Sequence, residues 1–175
     1  MKCSLCEKEG AKESPVSGED ATLINCEVCG NYEIDGFFRE AYEQKDTLEK
    51  AKYFAFTREI FEFGDELPKI GDPAKMESLV EPYASKTTDE KIDNMLLYVK
   101  KRSKFLGESV EWDDEINYPI TYSPNPIETK ELRDHAREIG LIREEEGKVI
   151  LKKPGWDRAV ELNEKKVTPK IMVLG

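Results

Sequence analysis

The sequence predicts an α+β fold in three parts, and three observations support this prediction. All four cysteines lie in residues 1–36 in two pairs, and two short strand-like segments, residues 21–25 and 32–34, flank the second pair. Residues 37–87 have the apolar spacing of helices. Residues 88–166 combine helices with a hairpin pattern and a closing helix over residues 156–164. We expect a cysteine-rich domain, a helical connector and a mixed C-terminal domain, with residues 167–175 as a further strand or the start of a missing domain.

The composition limits the classes of function. The 175 residues include 27 Lys+Arg and 37 Asp+Glu, which gives a net charge of −10. Phosphate neutralisation needs clustered cations, so this balance disfavours nonspecific binding to nucleic acids and to anionic membranes. No apolar run approaches the ~20 residues that cross a bilayer, and residues 1–7 lack the apolar core of a signal peptide. A cytoplasmic location is therefore expected.

The cysteine spacing is the most specific signal in the sequence. Cys3 and Cys6 form one Cys-x₂-Cys pair, and Cys26 and Cys29 form a second pair after a gap of 19 residues. This spacing is typical of a structural zinc site. Four thiolates complete a tetrahedral shell at ~2.3 Å from Zn²⁺ and leave no position open for water. We therefore expect a zinc ribbon in which Zn²⁺ is structural rather than catalytic.

Two other roles for these cysteines remain open. Two disulfides would suit a small secreted domain, but they are disfavoured in a chain without a signal peptide. A redox or iron–sulfur site also uses paired cysteines. Zinc is the preferred of the three interpretations.

The connector contains one long aromatic helix. Asp46 or Thr47 is expected to cap a helix that continues to about Phe63 and ends at Gly64. Apolar side chains surround much of this helix, which is usual for a helix buried between other elements. The alternative is a docking face for a protein partner or for a second copy of the chain, because aromatic residues supply much of the energy of interfaces. The side chains of that face would be Tyr53, Phe56 and Phe61.

The C-terminal part has the element order of a winged helix. Thr88 is expected to cap a helix over residues 89–104, and a second helix, with Thr129 as its cap, spans residues to 139. Residues 112–120 are expected to be extended between them. A β-hairpin with a glycine turn follows over residues 141–151. We therefore expect a winged-helix-like domain.

A DNA-binding winged helix is the alternative function. Such a domain presents cations from its second helix, here Arg133 and Arg137. That helix is balanced in charge, however, and the glutamates at 144–146 would repel phosphate from the expected wing tip. Additional cations at the end of the first helix are Lys100, Lys101 and Arg102. Cations are favoured at a helix C-terminus in any case, so this cluster does not indicate DNA binding by itself. Binding of a protein partner or self-association is therefore the preferred function.

The sequence offers no recognisable catalytic constellation. It contains no P-loop, no Gly-x-Ser-x-Gly and no Gly-x-Gly-x-x-Gly motif. The single histidine, His135, lies in a charged helical segment, and the cysteines are committed to metal. We therefore expect a non-catalytic module.

The order of these motifs resembles a known arrangement. Cys3, Cys6 and residues 26–34 fit the form Cys-x₂-Cys … Cys-x₂-Cys-Gly-x-Tyr-x-Ile. Looser matches follow at Glu90-Lys91-Ile92, Leu96-Leu97-Tyr98, Tyr118-Pro119, Glu131-Leu132, Ile139-Gly140-Leu141-Ile142 and Pro154-Gly155-Trp156. Together they resemble the N-terminal region of bacterial and archaeal effector proteins that carry a TIR-like or nucleoside-deoxyribosyltransferase-like domain. The resemblance implies a sensing or regulatory role, with any catalysis in a domain that would follow residue 175.

Overall fold

The computed structural model describes the backbone of residues 1–174 and the side chains of residues 1–165. Its architecture is α+β, as predicted, with two separate sheets. Within the described part of the chain, no helix has the length and apolar character needed to cross a membrane.

The N-terminal sheet carries the cysteine region. Its strands are β1 (Lys12–Pro15), β2 (Ala21–Cys26), β3 (Gly30–Asp35) and β4 (Lys69–Ile70). They lie in the order β1-β2-β3-β4, with β4 parallel to β3 and the other pairs antiparallel. The two strands predicted from the sequence in this region are confirmed. Tyr32 and Ile34 of β3 point into the core, while Glu33 and Asp35 lie on the opposite face because side chains alternate along a strand.

Three helices form the connector: α1 (Gly36–Glu43), α2 (Thr47–Phe63) and α3 (Pro73–Val80). The α2 helix has the predicted bounds, since the Asp46 carboxylate accepts a hydrogen bond from the Glu49 N–H at 2.9 Å and the helix ends before Gly64. Tyr53 and Phe56 of α2 are buried in the core. This burial corrects the interpretation of these two residues as a docking face.

The C-terminal part contains the second sheet and four helices. Its elements are α4 (Thr88–Arg102), β5 (Ser109–Glu111), α5 (Asp114–Asn117), α6 (Pro126–Glu138), β6 (Ile142–Glu145), β7 (Lys148–Leu151) and α7 (Lys153–Leu174). Strand β7 lies between β5 and β6 and is antiparallel to both. The predicted hairpin is therefore confirmed, and its buried face packs against α4 around Leu96 and Val99.

Two predicted helix starts are wrong by a few residues. Thr87 rather than Thr88 caps α4, because the Thr87 hydroxyl accepts from the Glu90 N–H and the Glu90 carboxylate accepts from the Thr87 N–H. Helix α6 begins after an Asn125 cap, upstream of Thr129. Both errors have one cause. Thr and Asn side chains are both good N-caps, so where several lie close together the sequence does not determine which one is used.

Two predicted extended segments are helical. Residues 112–120 contain α5, because the Asp113 carboxylate caps a turn by accepting from the Glu115 N–H at 2.9 Å. Helix α7 begins earlier than predicted and replaces the expected C-terminal strand as far as Leu174. A short apolar run does not distinguish a strand from a helix end. Gly175, the last residue of this predicted segment, lies outside the described residues.

One buried ion pair joins the two parts of the fold. Arg58 and Glu62 lie one turn apart on α2, are 3% and 6% exposed, and form a hydrogen bond of 2.9 Å. The Arg58 guanidinium also donates to the carbonyl oxygens of Val28, at 2.8 Å, and Ile116, at 3.0 Å. The Glu62 carboxylate accepts from Arg102 of α4 at 2.6 Å. The same pair of side chains therefore contacts the cysteine region and the C-terminal part.

Replacing Arg58 with methionine should destabilise the protein by about 3 kcal/mol, because the buried Glu62 carboxylate loses one of its two donors and several carbonyl groups lose the guanidinium. The matched control is Lys52→Met on the same helix, which breaks a pair with the 71% exposed Glu81 side chain and should cost under ~1 kcal/mol. Urea unfolding of the two variants measures the difference. Equal losses of stability would contradict this account of Arg58.

Candidate metal centre

The four cysteine side chains converge on one point. All Sγ atoms lie within 4.8 Å of one another. The Sγ–Sγ distances are 3.8 Å for Cys3 and Cys29 and 3.6 Å for Cys6 and Cys26. Four sulfur atoms at ~2.3 Å from a central ion form a tetrahedron with edges of about 3.8 Å, so these distances fit a single ion. All four cysteines are free thiols, which excludes the disulfide interpretation for this structure.

The first cysteine turn, residues 3–8, is closed by backbone hydrogen bonds. The Cys3 N–H donates to the Lys8 carbonyl at 2.9 Å, and the Glu7 N–H donates to the Cys3 carbonyl at 3.0 Å. Glu7 has a φ of 62°, in the left-handed region that L-residues other than Asn and Asp rarely adopt. The turn directs Cys3 and Cys6 towards the same point.

The second cysteine turn, residues 26–30, connects β2 to β3. The Cys29 N–H points towards Cys26 Sγ at 3.5 Å, an arrangement that favours a thiolate at Cys26. Gly30 has a φ of 80° and occupies the same position after its cysteine pair as Glu7 does after the first. Each cysteine pair is therefore followed by a residue in the left-handed conformation, so the two turns have a similar backbone at this position.

Phe61 of α2 covers the second cysteine turn. A Cβ atom added to Gly30 would lie 2.5 Å from Phe61 Cγ, so only glycine fits between the turn and the ring. Phe61 remains 48% exposed. Of the three aromatic residues predicted to bind a partner, it is the only one at the surface, and it also has this packing role.

Two tyrosines that the sequence analysis did not assign to the site support it from behind. The Tyr32 hydroxyl lies 3.1 Å from Cys3 Sγ, and burial raises the pKa of Tyr32 well above its usual value, so it stays protonated and can donate to a thiolate. The Tyr42 hydroxyl donates to the Leu5 carbonyl of the first turn at 2.6 Å. The Cys-Gly-x-Tyr pattern of the sequence could have identified Tyr32 as part of the site, whereas no local pattern points to Tyr42.

The electrostatics of the cluster favour a bound cation. Burial raises the pKa of the Cys29 thiol well above its usual value. A hydrogen bond with Cys29 lowers the pKa of Cys26 to about 7. Four thiols this close, three of them buried, cannot all ionise alone, because each thiolate repels the next. A divalent cation at the centre would remove that repulsion, so the arrangement is suited to metal binding.

The cations of the predicted DNA interface are paired within the chain. The Arg133 side chain is 15% exposed and forms an ion pair of 2.8 Å with Asp114 and a second with Glu144. Arg137 pairs with Glu144 and Asp134, each at 3.3 Å. These pairs hold α6 to the hairpin and to α5, so neither arginine stands free on the surface.

The basic cluster at the end of α4 also makes internal contacts. Lys100 Nζ lies 4.3 Å from the centre of the Trp156 ring. Lys101 donates to the Glu62 carbonyl, and Arg102 pairs with the Glu62 carboxylate. These cations connect α4 to α2 and to α7. His135 is exposed on α6.

Comparisons with protein-family models, with curated proteins and with solved structures give no match for this chain. The geometry of the site therefore carries the functional argument.

Gly30→Ala should destabilise the protein by about 2–4 kcal/mol, through a left-handed backbone strain and a clash with Phe61. Gly18→Ala is the matched control, since Gly18 has a φ of 78° but open space around a Cβ; it carries only the backbone strain. Adding Phe61→Gly, which removes the Cβ atom as well as the ring, should make the Gly30→Ala change less costly. Thermal unfolding of the three variants and of Phe61→Gly measures this coupling. No coupling between positions 30 and 61 would contradict the packing role of Phe61.

Proposed function

We propose that the chain is a non-catalytic, zinc-stabilised recognition module that acts by binding a protein partner. Residues 1–36 form its zinc ribbon, with Zn²⁺ held by Cys3, Cys6, Cys26 and Cys29. The observation that carries the proposal is the tetrahedral spacing of four protein thiols. A shell filled by the protein leaves no position for a reactive water, so the ion has a structural role.

Zinc fits this donor set better than an iron–sulfur cluster. Thiolates in tetrahedral geometry are the usual structural ligands of Zn²⁺. The Sγ–Sγ distances of 3.6 and 3.8 Å match one central ion and leave no room for a cluster of several iron and sulfide atoms. Paired cysteines that remain free thiols also suit a reducing compartment such as the cytoplasm.

The element order of residues 88–166 supports a winged-helix domain. Helix α4 is followed by β5, by α5 and α6, and then by the β6–β7 hairpin, with β5 pairing with β7. In a winged helix the second helix of the helix-turn-helix, here α6, reads DNA. The proposed domain instead uses the cations of α6 for ion pairs with Asp114 and Glu144.

Protein recognition fits the charges better than DNA binding. A DNA reader releases counterions from phosphates by presenting unpaired cations. Here the net charge is −10, and the candidate cations are paired within the chain. The resemblance of the ribbon motif to effector proteins further supports a sensing role, as the regulatory part of a defence or signalling protein.

The purified chain should contain about one zinc ion, and Cys26→Ser should lower that content and loosen the N-terminal domain. Removing Zn²⁺ with a chelator or at acidic pH should have the same effect, because protons compete with the metal for the thiolates. Elemental analysis and near-UV circular dichroism measure both effects. Ser14→Ala, an exposed change in β1, is the control. A metal-free protein with an unchanged melting profile would overturn the zinc proposal.

A fluorescence-anisotropy titration with DNA and RNA duplexes and single strands tests the alternative function. We expect no binding at about 150 mM salt and only weak, salt-sensitive binding below it. Binding that survives at 150 mM and is weakened by Arg137→Ala would replace protein recognition with the DNA-binding function. Glu138→Ala on the same helix is the control for effects on α6 itself.

A further inference from the structure

A groove opens on the N-terminal part, away from the cysteine cluster. It has a volume of about 670 Å³ and lies between β3, β4, the end of α2 and α3. Its size is in the range of sites that take ligand groups. Buried side chains of Phe56, Ile70 and Met76 form an apolar floor, and Leu67 and Leu79 extend it at the rim, where they are 39% and 44% exposed. A ligand that covers these apolar side chains gains binding free energy by removing them from water.

The rim of this groove is acidic. Its carboxylates outnumber its lysines by five to two among the described residues. The carboxylates are Glu19, Glu33, Asp35, Glu66 and Asp72, and the lysines are Lys69 and Lys75. Asp35 and Asp72 cap α1 and α3 and accept hydrogen bonds from backbone N–H groups.

The other three carboxylates are available to a partner. In the part of the chain that the structure describes, the side chains of Glu19, Glu33 and Glu66 form no ion pair and no hydrogen bond. An apolar floor concentrates the field of such charges, because it has a low dielectric constant. The groove therefore combines an apolar surface with an excess of three carboxylates over lysines at its rim.

We propose that this groove binds a basic amphipathic segment of a partner protein, which inserts apolar side chains into the floor and pairs its Lys or Arg residues with the rim. The proposal rests on the proposed function as a protein-recognition module. Charge complementarity selects this occupant, since opposite potentials steer association and exclude wrong partners. A nucleic acid or an anionic membrane would meet repulsion at the rim.

A second copy of the chain fits the groove poorly. Each copy has a net charge of −10, so two copies repel each other. Among the described side chains, the basic cluster that a second copy could offer at the end of α4 includes Lys101 and Arg102, which already contact Glu62 of their own chain. A basic segment on a different protein has no such cost.

The test uses the full, zinc-loaded chain and two fluorescein-labelled 18-residue peptides. One peptide has Leu at i, i+3, i+4 and i+7 with Lys elsewhere, and the other has Glu in place of Lys. We expect the Lys peptide to bind and the Glu peptide not to bind. Glu33→Lys with Glu66→Lys should weaken binding of the Lys peptide by about ten-fold. The control is Glu131→Lys with Glu138→Lys, which makes the same charge change on exposed positions of α6 and should weaken binding less than two-fold.

A second pair of variants tests the apolar floor. Leu79→Ser should lower the affinity for the Lys peptide by about three-fold or more. Ile127→Ser, at a 75% exposed position on α6, should leave that affinity unchanged. Zinc content and thermal unfolding of every variant show that the fold is retained. Equal weakening by both charge-reversal pairs, or no effect of Leu79→Ser, would overturn the groove proposal and leave protein recognition through another surface. Retained binding of the Lys peptide together with tight DNA binding at 150 mM salt would overturn the proposed function and leave the groove.

Discussion

The buried Arg58–Glu62 pair is the interaction on which the arrangement of the whole chain depends. Arg58 reaches back to the carbonyl groups of the second cysteine turn and across to Ile116 in the C-terminal part, while Glu62 binds Arg102 of α4. A buried ion pair of this kind adds little net stability over an apolar pair, but it tolerates no missing partner. In this structure the hydrogen bonds of the pair are satisfied by the cysteine region, α2 and α4 together.

The cysteine cluster and this pair constrain the same turn from two sides. The sulfur atoms of Cys26 and Cys29 face the centre of the cluster, while the carbonyl oxygen of Val28 faces Arg58. Gly30 then lets Phe61 close over the turn. A tight turn has few ways to satisfy its own backbone groups. Here the two cysteines, the Arg58 guanidinium and the Phe61 ring together hold the turn against α2.

The sequence predicted those features that depend on local chemistry. The Cys-x₂-Cys spacing identified the four cysteines that converge, and the Asp46 and Gly64 signals gave the bounds of α2. It failed where several residues could do the same local task, as at Thr87 and Thr88, and where a short apolar run suited either a strand or a helix. The pairing of Arg58 with the second cysteine turn joins residues 30 positions apart, and no local pattern encodes such a contact. The same is true of Tyr42, which contacts the first turn from α1.

Charge shows the same division between local and tertiary information. From the sequence, the cations at 100–102 and on α6 form candidate nucleic-acid contacts, because composition counts charges without their partners. The fold pairs Arg133 with Asp114 and Arg102 with Glu62, and so neutralises these cations inside the molecule. Meanwhile Glu19, Glu33 and Glu66, which are separated in the sequence, gather at one apolar groove, and among the described residues their side chains form no ion pair. When cations are paired internally and carboxylates remain at an apolar surface, the negative potential of that surface favours a basic partner. The net charge of the chain alone does not show where such a surface lies.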